Sequence, residues 1–138
     1  MRIFLDTNIL LDYLQQDRSS HKASALIIDS TESRQLEMVI TGLSLVNLHY
    51  TLARTGYSRK MIRNFIGETL SACEVASTDM PQLQAAVTGG WDDFEDAVQY
   101  QAALFAGRIQ AIITNDRKGF KGSRIPVFTP DAFVAEHL

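Results

Sequence analysis

Cysteine is almost absent from this chain of 138 residues. Cys73 stands alone, which excludes an internal disulfide and any cysteine-based zinc cluster. By itself it reads as a small buried hydrophobe. An excess of positive charge is also missing. Thirteen Lys and Arg against 16 Asp and Glu leave a formal net charge of −3, so any nucleic-acid contact needs a local basic patch. No apolar run is long enough to span a membrane, and Asp6 and Asp12 interrupt the apolar N-terminus where a signal peptide would be continuous. A cytoplasmic location without a membrane partner is therefore expected. There is no Gly-rich phosphate loop, so a nucleoside triphosphatase is not indicated. Ser44 lacks a Gly-x-Ser-x-Gly setting, so a hydrolase triad is unsupported. His21, His49 and His137 show no metal-binding spacing. Repeats, low-complexity tracts and linkers are missing too, and one domain over residues 1–138 is expected.

What is present is an alternation of short apolar runs with helical patterns. Ile3-Phe4-Leu5 reads as a buried strand over residues 2–5. A helix capped by Thr7 or Asn8 follows and runs to about Leu14. A second helix starts at Ser19 or Ser20 and ends in the polar stretch Asp29–Arg34. Glu37–Ile40 is strand two and Thr41-Gly42 a turn signal. The next helix carries the stripe Leu45, Leu48, Leu52, with Val46 and Tyr50 beside it, and Gly56 is placed to terminate it. Ser58 caps a helix with Met61, Ile62, Phe65, Ile66 and Leu70 at helical spacing. Strand three is expected at Ala72–Ala76, a Pro81-initiated helix after Asp79, and another from Asp92, whose pair Asp92 and Glu95 has capping-box spacing. Strand four is Ala111–Ile113, strand five Ile125–Phe128, and a last helix runs from Asp131 to about His137. This order predicts an α/β fold, a parallel sheet covered on both faces with right-handed crossovers.

In such a sheet every strand ends at one edge, and that edge is where ligands bind. Asp6 ends strand one and Asp116 strand four. Asp93 and Asp96, three apart, share a face in the first turn of the helix feeding strand four. Ser44 and Asn47 approach from the other side, on the helix after strand two. Carboxylates gathered at one edge repel each other, and the cluster persists where a divalent cation sits among them or where some take up protons. Oxygen donors with open water positions suit Mg²⁺ or Mn²⁺ better than Zn²⁺. A cation so held activates water and neutralises charge on a phosphoryl oxygen, the two needs of phosphodiester hydrolysis. Asp12 reads as solvated or supporting, and Asp92 and Glu95 as capping residues.

These stretches resemble a known family. Leu5-Asp6-Thr7-Asn8-Ile9-Leu10-Leu11-Asp12 looks like the opening of PIN-domain proteins. Phe94-Glu95-Asp96-Ala97 and Ile113-Thr114-Asn115-Asp116 resemble the family's second and third diagnostic regions, and Ile125–Phe133 its ending. The resemblance spans essentially the whole chain in the right order. It implies a three-layer α/β/α domain with strand order 3-2-1-4-5. It further implies a metal-dependent endoribonuclease of the VapC-like kind, using Mg²⁺ or Mn²⁺ and leaving 5′-phosphate and 3′-hydroxyl ends. RNA would be the substrate, an antitoxin protein the partner and a homodimer the assembly, for which the helix carrying Phe65 and Leu70 offers apolar surface. Asp6, Asp96 and Asp116 would be metal ligands or water-orienting acids, Asp93 an auxiliary acid, and Thr7 and Thr114 hydroxyls that orient carboxylates. The chain departs from the family at Asn47, where a glutamate is usual and where Asn would offer a carbonyl oxygen without charge; in this it is similar to subgroups of the family that carry the Asn with an extra acid such as Asp93. A second, smaller departure is Gly119, where relatives often carry another acid before Phe120.

Two basic groups complete the picture. Arg117, Lys118, Lys121 and Arg124 follow Asp116 directly, and Arg54, Arg59, Lys60 and Arg63 flank the helices after strand two. Either group can contact RNA phosphates or an acidic antitoxin segment, or simply be a solvated face. Trp91 and Tyr50 can stack on a base or pack. Two other readings rival cleavage. A module that binds RNA or protein without cutting stays open because of Asn47. A phospho-acceptor receiver domain does not fit, since strand three ends Val75-Ala-Ser77 with no acid at its tip.

Overall fold

The computed structural model describes residues 1–31, 33 and 35–138. Glu32 and Arg34, at the end of the polar stretch expected to close the second helix, lie outside them. Five strands, β1 (Arg2–Leu5), β2 (Glu37–Thr41), β3 (Cys73–Ala76), β4 (Ala111–Ile113) and β5 (Val127–Phe128), pair in the order β3-β2-β1-β4-β5, parallel throughout. Among the described residues the helices are α1 (Thr7–Leu14), α2 (His21–Asp29), α3 (Gly42–Arg54), α4 (Arg59–Ala72), α5 (Met80–Thr88), α6 (Phe94–Ala106) and α7 (Pro130–His137). Fold class and strand order are as expected.

Between their ends the central strands are apolar at every position because each face packs on helices. Ile3 and Leu5 of β1, Met38 and Ile40 of β2, and Ala111 and Ile113 of β4 face one core, shared with Ile9, Leu10, Ile27, Leu48, Leu52, Ile62 and Phe133. The alternate residues Phe4, Val39 and Ile112 face the other, with Tyr100, Ala102 and Ala103 of α6 and with Phe120. Burying each large aliphatic or aromatic side chain is worth about 1.5–3 kcal/mol. A second contact, between Ala86 of α5 and Ala97 and Val98 of α6, holds these two helices together. Connections from β1 through β3 travel one way along the sheet and β4 returns to the far side of β1. The switch point therefore lies between the ends of β1 and β4.

Several local expectations need correction. Asp6, not Thr7 or Asn8, caps α1. Thr41-Gly42 is not a turn: β2 runs straight into α3, and the Thr41 hydroxyl accepts from the Ser44 N–H as the cap. Asp93 rather than Asp92 caps α6. β5 shrinks to two residues because Pro126 has no N–H for the ladder and contributes only its carbonyl, to Ile112 N. Val46, Tyr50, Met61 and Leu70 are exposed, whereas Phe65 packs against the core and stacks on Tyr13.

Candidate active site at the carboxyl edge of the sheet

Asp6 leaves β1 and is only 7% exposed. Its position follows from the sheet: the Asp6 N–H continues the ladder to Ile113 O, and its carboxylate turns back to cap α1. Oδ1 accepts from Thr7 N at 2.6 Å. Oδ2 accepts from the Thr114 hydroxyl at 2.7 Å and from Asn8 Nδ2 at 2.6 Å. Burial raises the pKa of this carboxyl, and hydrogen bonds from Thr114, Thr7 and Asn8 only partly oppose it, while the charge of Glu95 adds to the rise.

Thr114 is the hinge of the arrangement. Its hydroxyl donates to Asp6 and accepts from Asp116 N at 2.9 Å, so one side chain sets both acids at the switch point. Asp116 lies beyond the strand and is exposed, and its Oδ1 accepts from Gly119 N at 3.1 Å. Thr7 supports Asp6 differently from expectation. It uses its backbone N–H, while its hydroxyl accepts from Gln99 Nε2 at 3.4 Å.

Asp96 comes from the first turn of α6. Its N–H is held by Asp93 Oδ1 at 2.9 Å, which occupies Asp93 as a cap. The Asp96 carboxyl is pushed up to about 6, first by burial and then by the charges of Asp93, Asp6, Asp116 and Glu95. Those four carboxylates therefore act on one point, Glu95 among them although the sequence suggested a capping role for it. A Cβ placed on Gly119 would come within 2.4 Å of Asp96 Oδ2 and 3.1 Å of Asp116 Oδ2. The loop backbone thus passes close against both acids, and glycine is what fits there.

Among the described residues, no group of three or more His, Cys, Asp or Glu side chains is preassembled around a metal position. The donor set nonetheless suits a divalent cation on two counts. The donors are oxygens under mutual repulsion, which a bound cation would relieve. Two of them already flank a cradle at Gly119 that any side chain would fill.

Asn47 faces the same edge from α3, but its carbonyl is not what the structure engages. Its amide donates to Glu95 Oε1 at 2.8 Å. Glu95 is thereby tied across the edge rather than acting as a capping partner of Asp92. Asp12 is not solvated. It is 1% exposed, paired with Arg18, and bonded to Ser24 and Asn115. Arg117, Lys118, Lys121 and Arg124 are exposed and line a concave strip with Phe120 and Pro126. Lys118 and Lys121 also border a second hollow with Trp91, Asp93 and Gly119. Trp91 is committed to packing, stacked on Tyr100 with ring centres 4.6 Å apart. Tyr50 is exposed with Arg54 over its ring at 5.6 Å, and Arg59, Lys60 and Arg63 are exposed.

Three supporting residues escaped the sequence reading: Asn8, Asn115 and Gln99. Asn8 Oδ1 accepts from Asn115 N at 3.1 Å, joining the loops after β1 and β4. Gln99 is fully buried, and its Oε1 accepts from the Thr41 and Ser44 hydroxyls, each at 3.2 Å. A signal existed for Gln99. It lies three residues after Asp96 inside an otherwise apolar stripe, and a buried amide needs partners on both its ends.

Comparison with known proteins adds three findings. Residues 2–118 match the family model described as PIN domain. The chain is 23% identical over 137 residues to "Ribonuclease VapC1" of Aquifex aeolicus (strain VF5), covering 96% of this chain and 92% of that protein. Its fold is like that in the crystal structure of VapBC2 from Rickettsia felis bound to a DNA fragment from their promoter. There the TM-score is 0.64 at 17% identity, covering 94% of this chain and 98% of the other.

Proposed function

The chain belongs to the PIN domain family, and from that premise we propose that it is a divalent-metal-dependent endoribonuclease and the toxin of a toxin–antitoxin pair. One observation carries the chemistry: Asp6, Asp96 and Asp116 gather at the switch point, with the Asp96 carboxyl lifted to about 6 by burial and by its acidic neighbours. The similarity to a protein named as a ribonuclease supports RNA as the substrate, and the likeness to a VapBC2 structure supports an antitoxin partner.

In this reading Asp6, Asp96 and Asp116 hold Mg²⁺ or Mn²⁺, with Asp93 adding charge from the cap of α6. When bound, the cation supplies activation of a water and neutralisation of charge on the scissile phosphate. The rest falls to the chain. Thr114 orients Asp6 by its hydroxyl and Asp116 through the backbone N–H. Thr7 fixes the other oxygen of Asp6 through its backbone. Arg117, Lys118 and Lys121 draw the RNA backbone to the edge beside Gly119. The domain spans residues 1–138, acts in the cytoplasm, and pairs as a homodimer, for which Met61 and Leu70 of α4 remain exposed while Phe65 packs on the core. Among the described residues no helix is long and apolar enough to cross a membrane.

The test is Mn²⁺-dependent cleavage of a panel of structured RNAs. Asp6→Asn, Asp96→Asn and Asp116→Asn should each lower cleavage by at least about a hundredfold while the far-UV spectrum is kept. Cleavage that survives in all three variants would discard the site. A wild type that binds RNA and never cuts it would favour the binding-module alternative.

A further inference from the structure

The flank of the site contributed by α3 brings no acid of its own: the first turn of this helix contains none, and Asn47 follows. What Asn47 does instead is hold an acid from the opposite helix. Its Nδ2 donates to Glu95 Oε1 at 2.8 Å, a bond between α3 and α6 that crosses the carboxyl edge of the sheet. We infer that Glu95 supplies a fourth carboxylate to the proposed cation site, carried there by Asn47, so that an acid and an amide have divided one ligand position between two helices. The inference rests on the metal-dependent reading above.

Three observations converge on it. An exposed glutamate at a helix start ordinarily points to water, where the helix dipole alone favours its charge. Glu95 is instead fixed by a bond to a charged acceptor, the stronger kind. Only Oε1 accepts from Asn47, so Oε2 stays available to ligate a cation. Glu95 is also close enough that its charge acts on both Asp6 and Asp96. Its carboxylate thus lies within electrostatic reach of Asp6 and Asp96, and Asn47 is a positioning residue that acts through it.

Calorimetric titration of the full chain with Mn²⁺ tests this without using cleavage. Glu95→Gln should weaken Mn²⁺ binding about tenfold or more, and Asn47→Ala by a smaller factor, because it frees Glu95 without removing it. Glu37→Gln removes the same charge at the opposite edge of the sheet, where β2 begins, and should bind as the wild type does. The rise in unfolding temperature caused by Mn²⁺ should follow the same order, and a far-UV spectrum confirms that each variant folds. If Glu95→Gln matches Glu37→Gln while Asp116→Asn loses binding, the inference fails and the site stands. If Asn47→Ala binds as tightly as the wild type, the positioning role fails. If the wild type binds no Mn²⁺, the metal reading falls and this inference with it.

Discussion

Asn115 donates its side-chain amide to Asp12 Oδ2 at 2.6 Å, which ties the loop carrying Asp116 to the buried face of α1. Asp12 is the anchor of that loop. It accepts from Arg18 and Ser24 as well, its backbone carbonyl meets His21 Nδ1 at 2.9 Å, and Asn115 is also held by Asn8. Asp116 therefore projects from a loop fixed at its preceding residue by both side chain and backbone.

Asp12→Ala should consequently destabilise the protein and disturb Asp116. Removing one member of a buried, hydrogen-bonded charge pair leaves the others unsatisfied, at a cost of about 3–5 kcal/mol in a fully buried case. Arg18 is partly exposed and regains water, so about 1–3 kcal/mol is expected here. Thermal unfolding should show a midpoint lower by roughly 3–10 °C. An unchanged midpoint would mean that Asp12 anchors nothing.

Gly119→Ala separates geometry from stability. The added Cβ would meet Asp96 Oδ2 at 2.4 Å and Asp116 Oδ2 at 3.1 Å, so the Asp96 carboxylate must rotate away and that of Asp116 give slightly. Displacements of about an ångström at reacting groups cost up to about a hundredfold in rate. Cleavage should fall about ten- to a hundredfold with little change in the unfolding midpoint. Gly122→Ala is the control, since its Cβ would only touch the Trp91 ring at 3.5 Å. Equal activity in the two variants would show that residue 119 has room after all.

How far such features could be read beforehand depends on their range along the chain. Ile3–Leu5 and Ala111–Ile113 are apolar on both faces and bounded by polar residues, so they were legible as central strands, and the strand order followed with the family resemblance. The convergence of Asp6, Asp96 and Asp116 was legible too, because strand ends and helix starts share an edge. The capping pattern was less so. Asp6, Thr7 and Asn8 are all acceptable caps by propensity, and Asp6 takes the place because the chain turns within one residue of β1. The bonds Asn115 to Asp12 and Gln99 to Thr7 join residues 103 and 92 positions apart. No local pattern encodes such a pairing. The exchange at Asn47 was read as a lost charge because its partner lies on a different helix, 48 positions away.

Asp96 should make the metal-free protein sensitive to pH in a defined direction. Its folded pKa is about 6 against an ordinary 3.8. Between these values the native state binds more protons than the unfolded one, so stability falls with rising pH. The contribution is complete below about 3.8 and is lost as pH rises through about 6. Asp96→Asn carries no titrating charge. It should match the wild type near pH 4 and be the more stable protein at pH 7. Asp96 is only half-buried, so solvent screening keeps the difference modest. Thermal unfolding in a chelator from pH 4 to 7.5 measures it. Mn²⁺ favours the ionised form, so binding at pH 6 should also release protons, seen as a dependence of the calorimetric heat on buffer ionisation enthalpy. Parallel stability profiles for the two proteins, with no proton release, would contradict the shift.

The basic loop yields a prediction that distinguishes a nucleic-acid contact from a solvated face. Lys118 and Lys121 border the hollow beside Gly119 and also the strip lined by Arg117 and Arg124. A lysine that neutralises one phosphate of a single strand releases its condensed counterion. Its removal should then lower the slope of log affinity against log salt by about 0.7. Lys118→Ala and Lys121→Ala, each made in the Asp116→Asn background to prevent cutting, should show this in fluorescence-anisotropy titrations from 50 to 200 mM salt. In the active protein the same changes should raise KM more than they lower kcat, because the contact is made equally in ground and transition states. Arg59→Ala and Lys60→Ala probe the other exposed basic group, at the start of α4, and should leave the slope unaltered. If all four substitutions behave alike, attraction comes from the diffuse charge of the surface, and RNA is not guided to Asp116 by the loop that follows it.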